Sequence, residues 1–384
     1  MGYEHIEVEL KQHSRHEGTP CGDYFISKKT EAHTTLILCD GKGHGIKANV
    51  AATMYANFLM KLLENNYSLR AACKKLIEIM RYSTNKANIP YAVFTVARIL
   101  NDGVTTILSY NMPVPIFIST KKAKIMTQRN VENIAGAELK ETNCYLRNND
   151  GIMLVSDGVT QAGIGRGYAF GWGSEKLSEF VSEKLENHIK YTDLPNEIYE
   201  EIWKTCEQNN DDDISIVIAH AREGSIATVF TGPPSKQEDD SKYVREFLLT
   251  SGKKIICGGT TAGVIAKNLG REINVKMTSP SPFTPPSYEI QGIDLVTEGA
   301  ISLNQFYNII DADRNLMEED NPVTQIYDLL MQADKIIFYI GSANTAEETD
   351  ISFIQRGIKR RQEIVPLIAE KMQQLGKIVV IEWI

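Results

Sequence analysis

Two uninterrupted apolar runs, Leu36 to Cys39 and Ile152 to Val155, each stop within two residues at an Asp-Gly pair, Asp40-Gly41 and Asp157-Gly158. A short apolar run without polar alternation reads as a buried strand, and here each such strand delivers a carboxylate to its end. A third run, "ISIVIA" from Ile214, is preceded by Asp211, Asp212 and Asp213. A fold for this chain must therefore bury several strands and gather their acidic ends.

The rest of the first half supplies the other layers. "YEHIEVELKQ", "GDYFISKK" and "TTLILCD" read as strands, the last two separated by the turn-like "TEAH". "IKANVAATMYANFLMKLLENN" and "SLRAACKKLIEIMRYSTN" carry apolar residues at three- and four-residue intervals and read as helices, the second with Ser68 as a cap. "YAVFTVARILN", "VTTILSYNM", "PIFIST" and "KAKIMTQ" are short, β-branched and separated by Asn, Asp, Gly or Pro, which suggests an antiparallel meander. "GSEKLSEFVSEKLEN" and "LPNEIYEEIWKTCEQ" are helical by period, and "DISIVIAHA" is a closing strand. Strands, helices, strands, helices, strand is an α+β sandwich order and not a regular βαβ alternation.

A chain of 384 residues is long for one core, so two domains are expected, 1–221 and 222–384. The stretch "TGPPSKQEDDS" reads as a linker or exposed loop. Beyond it, "KKIICGGTTAGVIAKNLGREINV" reads as strand, glycine turn and helix. "ADKIIFYIGSA" and "GKIVVIEWI" are strands flanking a long helix, "ISFIQRGIKRRQEIVPLIAEKMQQL". This half is a smaller α/β domain.

A formal net charge of -8 argues against a general nucleic-acid binder, which takes its affinity from Lys and Arg on phosphates. Six scattered cysteines with no CxxC pair suit a reducing compartment, not a disulfide framework or a zinc site. The polar N-terminus is no signal peptide and no run is long enough for a membrane helix, so a cytoplasmic protein without a membrane partner is expected.

Asp40, Asp157 and Asp212 all sit at strand ends. Carboxylates brought together from distant segments repel one another unless a cation lies among them, and oxygen-only sets suit hard divalent ions. A metal site is one reading; the other is that each Asp-Gly merely starts a turn or caps a helix. The glycines of "DGKGHG" suit a loop that turns sharply into a helix. They suit a phosphate-binding P-loop poorly, because Lys42 is misplaced and no Ser or Thr follows. A dinucleotide fold is also a poor match, since the continuation is two helices and a meander.

In their order along the chain these motifs resemble the SpoIIE-type branch of the metal-dependent PP2C serine/threonine phosphatases, over residues 1 to about 221. "CGDYF" is similar to the family's early Gly-Asp motif, "CDGKGHGIKA" to its Asp-Gly-x-Gly-x-Gly motif, "LVSDGVTQA" to its Ser-Asp-Gly-Val motif, and "DDDISIVI" to its terminal Asp-Asp motif with Ser215 in place of the commoner Thr. The resemblance implies a PP2C-like αββα sandwich holding two Mn2+ or Mg2+ ions. Asp40 would bridge them, the Gly41 carbonyl would bind one, Asp157 and Asp212 would bind the other, and Asp23 would reach a metal directly or through water. It implies hydrolysis of phosphoserine or phosphothreonine by a metal-activated water in a bacterial signalling pathway, on a phosphorylated protein such as an anti-anti-sigma-like regulator. Asp213 would orient the site from behind the ligands, and His44 is either a proton donor to the leaving alkoxide or a helix-start residue facing solvent. Lys42 and Arg166 are candidate attractants for a phosphorylated substrate, and Asp211 is a loop charge. The family's phosphate-gripping Arg has no clear counterpart, Arg15 being the one candidate.

The C-terminal half resembles no family here. "IICGGTTAGVIAKNLG" offers backbone amides and hydroxyls to an anion, or is a structural turn capped by Thr260 or Thr261. A small ligand or partner at this domain is expected on architecture. A different class of function also fits: a non-catalytic sensor or binding protein in which the phosphatase-like fold survives and the C-terminal domain senses a ligand.

Overall fold

The computed structural model describes residues 3–87, 90–134, 137–208, 211–277, 285–317, 321–343, 355 and 357–384. The chain divides into two units, Glu4–Glu223 and Gly224–Ile384, the latter joined by Tyr3.

The first unit opens with β1 (Glu4–His13), β2 (Asp23–Lys29) and β3 (His33–Gly41), followed by α1 (Ile46–Glu64) and α2 (Leu69–Ala87). Then come β4 (Ala92–Leu100), β5 (Val104–Tyr110), β6 (Ile116–Ile118), β7 (Ala123–Ile125), β8 (Arg129–Ile134), β9 (Ala137–Tyr145) and β10 (Gly151–Val155). The short α3 (Asp157–Thr160), α4 (Gly173–Glu186), α5 (Leu194–Thr205) and β11 (Ile214–Glu223) complete it. One sheet has the order β2-β3-β4-β5-β9-β8 and the other β1-β11-β10-β6-β7.

Alternation along the central strands explains why their runs are apolar throughout. On β3, Ile37 and Cys39 pack with α1 and α2, whereas Leu36 and Leu38 pack between the sheets. On β11, Ile214, Ile216 and Ile218 join the core with α4 and α5, and Val217 and Ala219 face the other sheet. Both faces of each sheet are thus covered, giving the layers helices, sheet, sheet, helices.

The expected meander does not form as one unit. β4 and β5 pair in the first sheet, but β6 and β7 form a hairpin in the second, with β6 against β10. The exchange follows Asn111, at φ 53, and the pair Pro113 and Pro115, which have no N–H with which to continue a ladder. The chain then returns to the first sheet as the β8–β9 hairpin, which sequence reading did not anticipate.

The second unit comprises β12 (Ile226–Thr231), α6 (Asp240–Leu249), β13 (Lys253–Cys257), α7 (Gly259–Leu269), β14 (Asn274–Met277), β15 (Ser287–Glu289) and β16 (Leu295–Thr297). It continues with α8 (Ala300–Ile309), α9 (Pro322–Gln332), β17 (Lys335–Ile340), α10 (Arg361–Gln374) and β18 (Ile378–Trp383). Its sheet runs β14-β15-β16-β13-β12-β17-β18, with the five strands from β16 to β18 parallel. One face packs on α6 and α7, the other on α8, α9 and α10, so this is a smaller α/β domain.

Two expectations fail here. The "TGPPSKQEDDS" stretch is no linker: it follows the central strand β12, and Thr231, Gly232, Pro233 and Pro234 are buried, although Ser235 to Glu238 are exposed as a surface loop would be. The Gly232 amide donates to Thr261 Oγ1 at 2.9 Å, and the Arg361 guanidinium packs where a Gly232 side chain would stand. Thr261 therefore serves this loop, not an anion. The long helix expected from Ile351 is not continuous: Gln355 is helical, Gly357 takes φ 67, a conformation that breaks a helix, and α10 begins at Arg361; Ile351 to Ile354, Arg356 and Asn344 lie outside the described residues. Among the described residues, no helix is long and apolar enough to cross a membrane.

Candidate metal centre

The β2–β3 register sets Asp23 directly opposite Asp40, at the end where both strands meet the loop to α1. Past Asp40 the chain must turn into a helix that lies on its own strand. A Cβ on Gly41 would stand 2.1 Å from the Ala48 carbonyl oxygen, so glycine is what lets the first turn of α1 approach. Gly43 and Gly45 then take φ 98 and 72, a region that disfavours any other residue.

From the other sheet, β10 ends at Val155 and Asp157 opens α3. A Cβ on Gly158 would lie 2.1 Å from the Asp213 carbonyl oxygen, so α3 packs directly on the start of β11 and brings Asp157 beside Asp212. Asp212 Oδ1 accepts from the Asp213 amide at 2.9 Å.

Three of the carboxylates, Asp23, Asp40 and Asp212, have a raised proton affinity. Burial pushes Asp40 well above the usual carboxylate range, and the charges of Asp23, Asp157 and Asp212 add to it; its side chain is close enough to Asp157 to share a hydrogen bond. Asp23, only 3 % exposed, is likewise raised by burial and then by Asp213 and Asp157, although the Ser215 and Ser156 hydroxyls hydrogen-bond it and pull the other way. Its Oδ2 is buried with no hydrogen-bond partner. Asp212 is raised by burial and by Asp157 and Asp213, opposed by the Asp213 amide and the charge of Arg15. An orphaned buried oxygen, mutual repulsion and an oxygen-only donor set fit a hard divalent cation. Among the described residues, no three of these carboxylates bring oxygens within 4.8 Å of one another.

Asp213 behaves differently from Asp212. It is buried, and its two oxygens accept from the Arg15 amide at 2.8 Å and the Gly22 amide at 2.9 Å. It thereby ties the β1–β2 loop, and with it Asp23, to the start of β11. Lys42 and His44 are exposed, and the His44 ring meets His16 edge-on at 5.8 Å. Arg166 pairs with Asp211 at 2.9 Å and also donates to the Cys206 carbonyl, so Asp211 is an exposed loop charge, as expected, with Arg166 as its partner.

Sequence reading passed over three supporting residues. Gln161 Nε2 donates to Asp157 Oδ2 at 2.8 Å. Ser156 Oγ accepts from the Ser215 amide at 2.9 Å, and Gln12 Nε2 donates to Ser215 Oγ at 2.9 Å. For Gln161 and Ser156 the signal was proximity to Asp157; Gln12 carried none.

Comparison with known proteins agrees with this architecture. The family model described as Stage II sporulation protein E (SpoIIE) matches residues 30–222. Among solved structures, the RsbU and RsbW domains of Rv1364c from Mycobacterium tuberculosis align at 14% identity with a TM-score of 0.50, covering 64% of this chain and 68% of that one. The PP2C phosphatase domain with a fragment of the regulatory domain of SpoIIE from Bacillus subtilis aligns at 17% identity and a TM-score of 0.49, covering 59% and 66%. The phosphatase domain of that protein in another crystal form gives 15% identity and 0.45, covering 58% and 95%. At such identities the likeness is one of fold. No curated protein matches the chain. The first unit has a PP2C-like αββα sandwich, the fold of bacterial serine/threonine phosphatases.

Proposed function

We propose, for a chain that belongs to the Stage II sporulation protein E (SpoIIE) family, that residues 4–223 form a metal-dependent phosphatase acting on phosphoserine or phosphothreonine of a protein. The observation that carries this reading is the juxtaposition of Asp23, Asp40, Asp157 and Asp212, close enough for their charges to raise the proton affinity of Asp40 and Asp23. Asp23, Asp40, the Gly41 carbonyl, Asp157 and Asp212 would be the residues that hold two divalent ions. When bound, two Mg2+ or Mn2+ ions supply an activated water and neutralise phosphoryl oxygens.

The chain's own residues supply position. Ser156 and Ser215 hold the Asp23 carboxylate, Gln161 holds that of Asp157, and Asp213 fixes the loop that carries Asp23. His44, exposed on the glycine loop, is the candidate to hand a proton to the departing alkoxide. A phosphorylated regulatory protein in a bacterial signalling pathway is the substrate class this fold suits, and the C-terminal α/β domain is a candidate regulatory or ligand-binding unit. A non-catalytic scaffold would have no use for four mutually repelling carboxylates, which cost stability unless a cation joins them.

Hydrolysis of p-nitrophenyl phosphate with and without Mn2+ tests the reading, with Asp40→Asn and Asp157→Asn as controls. Metal-dependent turnover lost in both variants is expected; no metal-dependent turnover, or turnover unchanged by the substitutions, overturns it.

A further inference from the structure

A cavity of about 350 Å3 opens directly beside the carboxylates, sharing Gly158 and Asp212 with them. Resting on the phosphatase reading above, we propose that this cavity is a specificity subsite for an apolar, uncharged side chain flanking the phosphorylated residue of the protein substrate.

Three features point to that occupant. The cavity adjoins the place where the phosphoryl group would be held, so a residue next to the phosphorylated one reaches it without a break in the chain. Among the described residues, two of its three charges neutralise each other: Arg166 and Asp211 pair across its wall at 2.9 Å, Arg166 also donates to the Cys206 carbonyl, and the third, Asp212, is one of the carboxylates proposed above to hold an ion. Beside them the lining holds Gln161, whose amide is engaged by Asp157, and the apolar Ala162, Ile164 and Ile214, of which Ile164 is the exposed one. A charged side chain entering here would have to break the Arg166–Asp211 pair or stay unpaired, whereas an apolar one costs neither. The size, at the small end for ligand pockets, suits one side chain with its adjoining backbone.

The rim is also built and not slack. Gly163, Gly165, Gly167, Gly171 and Gly173 all take positive φ, a path that the loop carrying Gly165 and Arg166 reaches only with glycine at such turns. A Cβ on Gly171 would stand 2.5 Å from the Thr160 carbonyl oxygen, and one on Gly163 would stand 2.8 Å from Thr205 Cγ2, so the loop is packed back onto α3 and α5. Lys176 Nζ caps the Tyr168 ring at 4.0 Å. The cavity is thus shaped before a substrate arrives.

The test uses the full chain with Mn2+ and phosphoserine peptides in which each residue flanking the phosphoserine is in turn Leu, Ala, Asp or Lys. Binding is measured with the phosphonate counterparts, which need no turnover, and kcat/KM with the phosphopeptides. At one flanking position Leu should be preferred over Ala by about tenfold and over Asp and Lys by more. Ile164→Asp, at a side chain that is 47% exposed, should bring the Leu preference to near parity. Arg166→Met, which leaves Asp211 without its cation, should shift the preference towards Lys. Binding that is equal across the panel, or a Leu preference that survives Ile164→Asp, overturns the subsite whether or not hydrolysis is seen. Selective binding with no hydrolysis of any peptide overturns the hydrolytic reading instead.

Discussion

Asp23 and Asp40 stand directly opposite each other on adjacent strands, both with carboxyls raised above their ordinary range by burial, Asp40 further by the charge of Asp23 and Asp23 by those of Asp213 and Asp157. Two such charges oppose folding until a cation lies among them. In chelator, Asp40→Asn should therefore melt a few degrees above the unsubstituted chain, since relief of about 1 kcal/mol moves a unit of this size by about 2–4 °C. With Mn2+ added the order should reverse, because the unsubstituted chain gains binding energy that the variant has lost. Thermal unfolding with chelator and with Mn2+ checks this, and a variant less stable than its parent in chelator would sink the account of the pair.

The glycines of "DGKGHG" should separate by mechanism. Gly41→Ala sets a Cβ 2.1 Å from a backbone oxygen of α1, an overlap that costs ~1–3 kcal/mol or more and moves the strand end that carries Asp40. Gly43→Ala meets nothing within 4 Å and suffers only from its φ of 98, a strain of about 1–2 kcal/mol. Gly41→Ala should lose most of its thermal shift with Mn2+ while Gly43→Ala keeps it. Equal losses would show that the loop's shape matters as a whole and that the Ala48 contact does not.

How much of this was readable from the chain follows from burial. "TTLILCD" and "ISIVIA" are apolar because both of their faces are covered, and that made the sandwich and its acidic strand ends legible. The β8–β9 hairpin was not, because it lies at a sheet edge and carries polar residues such as Glu138 and Lys140, as a solvent-facing edge permits, while its buried Glu141 is polar because Arg70 and Arg129 pair with it. "TGPP" has linker composition yet is buried, since Thr261 and Arg361 satisfy and cover it from segments far along the chain. Gln161 and Ser156 carry no pattern of their own. Only the fold reveals that one orients Asp157 and the other Asp23.

Glu141 offers a pH test away from the site. Its side chain is 2% exposed and accepts from Arg70 Nε at 2.7 Å, from Arg129 and from Asn143 at 2.9 Å, so α2 and β8 are both tied to β9. The Arg70 hydrogen bond, with Arg129 and Asn143, holds this carboxyl down to about 2. A carboxyl depressed on folding adds stability that is full above its unfolded value of 4.5 and is lost as the pH falls through about 2. In urea unfolding, Glu141→Gln should be less stable than its parent at pH 7, and the gap should close between about pH 5 and 2.5. A gap that persists at the acid end would mean the side chain acts by packing.

Asp212 and Asp213 are neighbours in sequence with opposite duties, and substitution should tell them apart. Both Asp213 oxygens are taken by backbone amides, those of Arg15 and Gly22, and a Cβ on Gly22 would come within 2.6 Å of Oδ2, so the loop sits tightly on that carboxylate. Asp213→Asn turns one acceptor into an NH2 group aimed at an N–H donor, a loss of about 1–3 kcal/mol in a buried place. The loop that carries Asp23 should then loosen, and Mn2+ affinity should fall by about 10–100-fold, as happens when a residue supporting the ligands is removed. Because no ligand is lost, kcat for p-nitrophenyl phosphate at saturating Mn2+ should recover to within a fewfold of the parent. Asp212→Asn removes a carboxylate that faces the other acids, and excess Mn2+ should not restore its turnover. A titration of rate against Mn2+ for the two variants decides the matter, and full recovery by Asp212→Asn would exchange the roles assigned to them.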